Sequence, residues 1–443
     1  MQRSDSVQLL VSLAPELLNM SRAHNVACDN GIIVISRSWW WLHVYVQYYT
    51  YCTLSCNHEI RPFRKFIHSF RVALRAIGTR VSALSCYRIP STSMTRKTPI
   101  GILGATGVVG QRFIQMLENH PWFEVAWLAA SDRSEGKVYA EAARWRLKTP
   151  IPPAVATMNL SPATPDRAPK VIFAALDSAI AAELEPRFAE AGCYVVSNSS
   201  ALRMKEDVPL VIPEVNAAHI KLIDRQGWRK QSGGYVVTNP NCSAIGLVLA
   251  LAPIQKKFGL ETVMAVTMQA VSGAGYPGVA SLDILGNVIP FIKNEEEKME
   301  EETKKLLGQL NGSKIIPGGF AMSAQCNRVA VEDGHTESVS IRLKMKAKPE
   351  EIIAAWNSYT AEPQTLQLPS APKKPVVYLE ANDRPQPRFD VELGAGMTTA
   401  VGRLRPCSVL DWKFTVLSHN TIRGAAGAAV LNAELLKAKG YLG

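Results

Sequence analysis

Apolar and polar positions along residues 99–251 follow a repeating order of short apolar runs and longer amphipathic ones. Residues 99–103 form an apolar run that meets glycines at 104, 107 and 110. The chain then places Phe113, Ile114 and Leu117 at helical spacing, which predicts a strand, a glycine loop and a helix. Glu124–Ala130 and Lys170–Leu176 read as the next strands. A helix is expected from Asp177-Ser178 through Ala191, with Gly192 capping it before a strand at Tyr194–Ser197. Tyr235–Val237 and the helix-like run Ala244–Leu251 close the series. Alternation of this kind predicts an α/β architecture built on a doubly wound parallel sheet.

Beyond Cys242 the pattern changes. Glu261–Gln269 reads as a strand, and Ser272–Gly278 as a glycine-rich loop. Glu295–Leu307 is a charged helix that puts Glu295 and Lys298 on one face. Val339–Met345 alternates as a strand, and Leu417–Leu436 is expected to be helical, with Asn420 and Arg423 near its start. Residues 1–93 follow neither pattern. Ile32–Tyr51 is aromatic-rich, but Arg37, Ser38, His43 and Gln47 interrupt it, so a membrane span is a weak reading. Cys52, Cys56 and His58 are spaced like a metal knuckle, yet no second ligand pair follows, and no metal is expected. Arg61–Ser93 carries no acid and many Arg and Ser residues, as transit segments do. Residues 1–93 are therefore expected to be a disordered or targeting-like extension, or the product of a mis-assigned start.

Charge and cysteine usage narrow the function. The formal charge is +11, and residues 1–95, with ten basic and four acidic side chains, carry +6 of it. The remaining +5 is spread over about 350 residues, too thinly to suggest nucleic acid. Four of the eight cysteines lie in the leader and the others are far apart. That is no disulfide framework, so a reducing, cytoplasmic setting is expected, with organelle targeting by the extension as the alternative.

Three stretches carry candidate chemistry. The strand–glycine loop–helix at 99–117 suits a dinucleotide pyrophosphate, because glycine lets the backbone approach and the helix N-terminus favours an anion. At the end of the next strand, Ser131, Arg133 and Ser134 suit a 2′-phosphate, while Asp132 leaves NAD open. The third is Thr238-Asn239-Pro240-Asn241-Cys242-Ser243, between a strand and a helix. A cysteine there sits at the helix's positive end, which lowers a thiol pKa; the alternative is a buried cysteine acting as a small hydrophobe. His335, in a second polar turn, could complete a Cys–His pair. Arg203, leaving the carboxyl end of the Tyr194–Ser197 strand, is placed to meet an anion.

Taken in order, these motifs resemble one family. Gly-Ala-Thr-Gly-Val-Val-Gly at 104–110, Ser-Asn-Ser-Ser-Ala-Leu-Arg-Met at 197–204 and Asn-Pro-Asn-Cys-Ser at 239–243 are joined by Asn-Arg-Val-Ala-Val-Glu-Asp-Gly-His at 327–335 and a terminal Asn-Thr-Ile-Arg-Gly-Ala-Ala-Gly. From Met94 onward the chain resembles the aspartate-β-semialdehyde dehydrogenases, most of all the fungal and archaeal branch. The resemblance implies reduction of β-aspartyl phosphate by NADPH to aspartate semialdehyde and phosphate, serving synthesis of methionine, threonine and isoleucine, with lysine left open. It implies a thioester on Cys242 and general acid/base action by His335. Arg328 would hold the α-carboxylate, Glu295 the amine, and Arg203 with Lys298 the phosphate, with Asn241 and Gln269 beside them. Gly104, Thr106, Gly107, Val108, Val109, Gly110, Ser131, Arg133, Ser134, Ser178, Ser272, Gly273 and Asn420 would meet NADP.

The same resemblance implies a Rossmann-like NADP-binding domain over 94–238, an α+β catalytic and dimerisation domain over 239–416, and a helix over 417–443 returning to the first. A homodimer or homotetramer follows, with no nucleic-acid or membrane partner. The competing readings are an N-acetyl-glutamyl-phosphate reductase and a non-catalytic dinucleotide-binding protein. An acetylated amine would have no use for the acid at Glu295.

Overall fold

The structure, a computed structural model of the chain, describes residues 97–442 and two short strands, Val26–Cys28 and Gly31–Ile33, which pair antiparallel. The remainder of the Ile32–Tyr51 segment, the Cys52/Cys56/His58 cluster and the acid-free stretch 61–93 lie outside the described residues. Met1–Ser93 and Met94–Gly443 are separate units, and the second carries the fold described below.

Its first sheet has five strands: β1 (Thr98–Leu103), β2 (Phe123–Ala129), β3 (Val171–Ala174), β4 (Tyr194–Ser197) and β5 (Tyr235–Thr238). The order is β2-β1-β3-β4-β5 and every pair is parallel. Ile100, Ile102, Val171, Phe173, Val196 and Val237 are buried on the sheet. Such strands read as continuous apolar runs because helices cover both faces of a parallel sheet. Helices α1 (Val108–Leu117) and α2 (Ser178–Glu190) are two of these covers. The chain reverses its direction of travel between β1 and β3, which opens a crevice at the strands' carboxyl ends.

Helix α3 (Cys242–Phe258) leaves β5 and is buried almost throughout. It leads to a mixed sheet of six strands: β6 (Leu260–Gln269), β7 (Ala321–Arg328), β8 (His335–Leu343), β9 (Val376–Leu379), β10 (Thr399–Pro406) and β11 (Trp412–Ser418). Their order is β7-β6-β8-β11-β10-β9. Helices α4 (Glu295–Leu306) and α5 (Pro349–Asn357) lie in the same half. Val263, Ala265, Val339 and Ile341 join Leu247, Val248 and Leu251 of α3 in one buried cluster. Helix α6 (Gly427–Ala438) returns to the first sheet, where Val430, Leu431 and Leu435 pack with Phe113, Phe173 and Val237.

Two boundaries differ from the sequence reading. Leu417 and Ser418 are strand, because Ser418 pairs with His335 and Leu417 with both Thr336 and Ala400. A π-turn at Ile422–Ala426 precedes the final helix. The strand expected at Val339–Met345 begins instead at His335 and ends at Leu343. Its first inward positions, His335 and Glu337, are polar but buried, so apolar alternation gives no signal there.

Candidate active site

Cys242 is the first residue of α3, and Asn241 caps that helix with its side-chain oxygen on the N–H groups of Ser243 and Ala244. His335 opens β8. These two ends bring Cys242 Sγ within 3.2 Å of His335 Nε2. Ala270 donates its N–H to His335 Nδ1 at 3.0 Å. An Nδ1 that accepts leaves the neutral ring's proton on Nε2, facing the sulfur. Burial and the Arg328 cation push the His335 pKa down to about 3, so the ring is neutral.

The expected low thiol pKa is not what the site shows. Burial first, then the Glu295 charge, pushes the Cys242 thiol up to about 12, against the opposing effects of Arg203 and Arg328. The helix end is present, but partial dipole charge is smaller than the cost of taking a thiolate out of water.

A polar wall stands beside the sulfur. Glu295 Oε1 accepts from Asn241 Nδ2 at 2.8 Å and from Gln269 Nε2 at 3.1 Å, and Lys298 Nζ lies 3.9 Å from its other oxygen. Arg328 ends β7 and donates to the Ala270 carbonyl at 2.8 Å. A Cβ on Gly273 would lie 2.9 Å from Arg328 Nη1 and 3.0 Å from His335 Cε1. The glycine therefore lets the 272–273 backbone close over the pair. Arg203 donates to Glu302 at 2.9 Å and to the Asn198 carbonyl at 2.7 Å. Its buried Nε has no partner among the described residues.

The nucleotide crevice holds a second group of residues. Gly104 has φ of +76°, and a side chain there would strike the Ala175 carbonyl. Helix α1 starts at Val108 with no side-chain cap and no acid in its first turn. Its positive end is thus open to an anion, as a pyrophosphate requires. Ser131, Arg133 and Ser134 form a turn just past β2, where Arg133 is exposed and makes no ion pair among the described residues. Ser178 and Ser200 share a 2.7 Å hydrogen bond at the carboxyl ends of β3 and β4. Asn420 donates to Ser272 Oγ at 2.8 Å. The residues present fit a dinucleotide carrying a 2′-phosphate.

Thus Cys242, His335, Asn241, Gln269, Glu295, Lys298 and Arg328 converge, with Ser272, Gly273 and Asn420 at their edge. The Gly104–Gly110 loop, Ser131, Arg133, Ser134 and Ser178 follow the carboxyl ends of β1, β2 and β3. Sequence reasoning missed Glu302, whose Oε2 accepts the Asn241 N–H at 2.6 Å while its Oε1 holds Arg203. It is the last of six acids between Glu295 and Glu302, a stretch that reads as a solvated helix face. Among the described residues no cluster of side chains could hold a metal, and no helix is long and apolar enough to cross a membrane.

A doubly wound sheet opening onto a cysteine–histidine pair defines the class: residues 99–223 match the semialdehyde dehydrogenase NAD binding domain, and residues 251–423 the semialdehyde dehydrogenase dimerisation domain. An aspartate-semialdehyde dehydrogenase of Archaeoglobus fulgidus is 51% identical over 338 residues, covering 76% of this chain and 97% of that protein. One from Cryptococcus neoformans is 45% identical over 77% of this chain and 98% of its own. A crystal structure of the Candida albicans aspartate semialdehyde dehydrogenase with NADP superposes with a TM-score of 0.72 at 42% identity, over 77% of this chain and 99% of that one. The chain belongs to the aspartate-semialdehyde dehydrogenase family. These relatives lend no support to the N-acetyl-glutamyl-phosphate reading.

Proposed function

We propose that the chain reduces β-aspartyl phosphate to aspartate semialdehyde with NADPH, through a thioester on Cys242. The observation that carries this is the 3.2 Å Cys242–His335 pair set between a carboxylate and two guanidinium groups. A substrate bearing an ammonium, a carboxylate and a phosphate needs one anionic and two cationic partners. Glu295 serves the ammonium, Arg328 the carboxylate, and Arg203 with Lys298 the phosphate.

An ammonium seated on Glu295 offsets the charge that holds the thiol protonated, so substrate binding itself favours the thiolate. The Cys242 sulfur then bonds to the acyl carbon, and the C–O bond to phosphate breaks with its electron pair leaving on the phosphate. The thiol proton departs with that phosphate, since His335 Nε2 already carries its own proton. His335 holds its Nε2 proton toward the sulfur and the nascent oxyanion. Bound at the 104–110 loop and Arg133, NADPH supplies a hydride to the thioester carbon. Collapse of the resulting adduct releases the aldehyde and returns the sulfur.

Two coarser readings accompany this one. The 251–423 segment supports self-association into a dimer or tetramer, and the dispersed cysteines support a reducing compartment. The test of the function is the reverse reaction. Aspartate semialdehyde, phosphate and NADP should yield NADPH at a rate that rises with phosphate. NADPH formation that ignores phosphate would overturn the acyl-phosphate chemistry.

A further inference from the structure

Asp333 lies outside the reacting pair, yet it joins three segments that meet beside it. Its Oδ1 accepts the Ser272 hydroxyl at 2.7 Å, and its Oδ2 stands 3.4 Å from Arg112 Nη2 on α1. The Ser272 oxygen accepts Asn420 Nδ2 at 2.8 Å. Asn420 Oδ1 accepts the Gly334 N–H, also at 2.8 Å. Gly334 is bonded to Asp333 on one side and to His335 on the other, so the four groups close a ring. Arg112 steadies the ring from the nucleotide half, because its Nε also donates to Thr421 Oγ1 at 3.1 Å.

The ring has a direction. A carboxylate only accepts, so Ser272 must donate to Asp333 and offer its lone pairs to Asn420. Asn420 must then answer with nitrogen, which turns its oxygen to the Gly334 N–H. The two ends of an amide occupy nearly the same space, and only their partners distinguish them. One acceptor-only group at the head of the chain removes the choice. Each end of the amide keeps one unused site, an N–H and a lone pair.

That direction matters because of where the ring sits. Gly273, next to Ser272, is within a Cβ's reach of His335 and Arg328. A hydride bound for the carbon on Cys242 must arrive here, so the dinucleotide presents its nicotinamide to this corner. The nicotinamide carboxamide has one donating and one accepting end, and it reads which end of Asn420 faces it. We propose that Asp333, held by Arg112, is a positioning residue that fixes the orientation of the Asn420 amide and thereby the registry of the nicotinamide carboxamide. This rests on the NADPH-dependent reading above.

Asp333→Asn tests it, since the shape stays and only the polarity becomes ambiguous. Dissociation constants are measured by fluorescence for NADPH and for its analogue with acetyl in place of the carboxamide. The wild-type protein should prefer NADPH, and the variant should lose that preference several-fold, up to roughly tenfold for one misdirected hydrogen bond. Ser272→Ala cuts the next link and should reduce the same ratio, which decides the matter if the first variant does not fold. A loss of binding equal for both nucleotides, or an unchanged ratio, would overturn the proposal. Wild-type protein that binds neither nucleotide would instead overturn the NADPH reading.

Discussion

Cys242 and Glu295 meet across 53 positions of sequence, and their opposition shapes the site's chemistry. Burial and the Glu295 charge both favour the thiol. Glu295→Gln removes one of the two effects, so the thiol pKa should fall. Iodoacetamide alkylation of Cys242, followed against pH, should then show its midpoint at lower pH than in the wild type. An unmoved midpoint would mean that Glu295 does not govern the thiol. Cys242→Ala should abolish turnover while NADPH binding stays within about twofold, because the crevice residues are untouched; substantial reductase activity would rule out the thioester. Arg133→Ala should raise KM for NADP by roughly tenfold and leave that for NAD nearly unchanged, the low end for a charge-assisted bond because Arg133 is exposed. Equal effects on both would make Arg133 an ordinary surface cation. The residues that announce themselves in sequence are those in distinctive turns, such as Cys242 after Asn-Pro-Asn. Glu302 and Asp333 stay hidden because their partners lie 61 or more positions away.

Elements are legible where burial is two-sided and apolar. The strands of the parallel sheet run Ile-Gly-Ile-Leu or Val-Ile-Phe-Ala, and little else could explain them. Strand β7 went unread because Ala-Met-Ser-Ala-Gln-Cys-Asn-Arg carries its period in small and polar residues. Strand β8 hides its start under a buried histidine and a buried glutamate. The π-turn at Ile422–Ala426 falls inside the stretch whose pattern predicts a helix, and it packs directly on the start of α3. A Cβ on Gly424 would lie 2.8 Å from the Cys242 Cβ and 3.0 Å from its Cα. Gly424→Ala must therefore move either the turn or the first residue of α3. It should cost about 1–3 kcal/mol, the usual range for overpacking, and lower kcat while NADPH affinity holds. Thermal unfolding and steady-state kinetics together check this; a variant with wild-type Tm and kcat would show that the turn yields freely.

At the scale of the whole molecule, segments far apart in sequence within residues 94–443 are bound by buried polar contacts. Arg423 and Glu214, both fully buried, are joined at 2.9 and 2.6 Å. Breaking one partner of such a pair leaves a buried charge, which is far costlier than losing a surface bridge. Among the described residues the three buried clusters lie within residues 100–442, and both family segments fall in the same span. A chain starting at Met94 should accordingly fold and match the full-length protein in Tm and in kcat/KM, to within about twofold. Aggregation, or loss of most activity, would assign residues 1–93 a structural part.

The return of α6 to the first sheet also constrains how the chain comes off the ribosome. Phe113, Phe173 and Val237 are made early, but the surface that covers them arrives with Val430, Leu431 and Leu435, near the very end. Lys437 reaches back to Thr98 Oγ1 at 2.6 Å, and Glu434 meets His120 at 2.7 Å. Domains generally fold from the N-terminus as they emerge, yet this one should wait, with an apolar face open, until the Gly427–Ala438 helix has been made. Stalled chains that stop short of residue 427 should remain protease-sensitive in their first half and should be good clients for a chaperone. Emergence of the Gly427–Ala438 helix, rather than synthesis of the glycine loop, should set the moment at which the nascent protein becomes competent to bind its nucleotide.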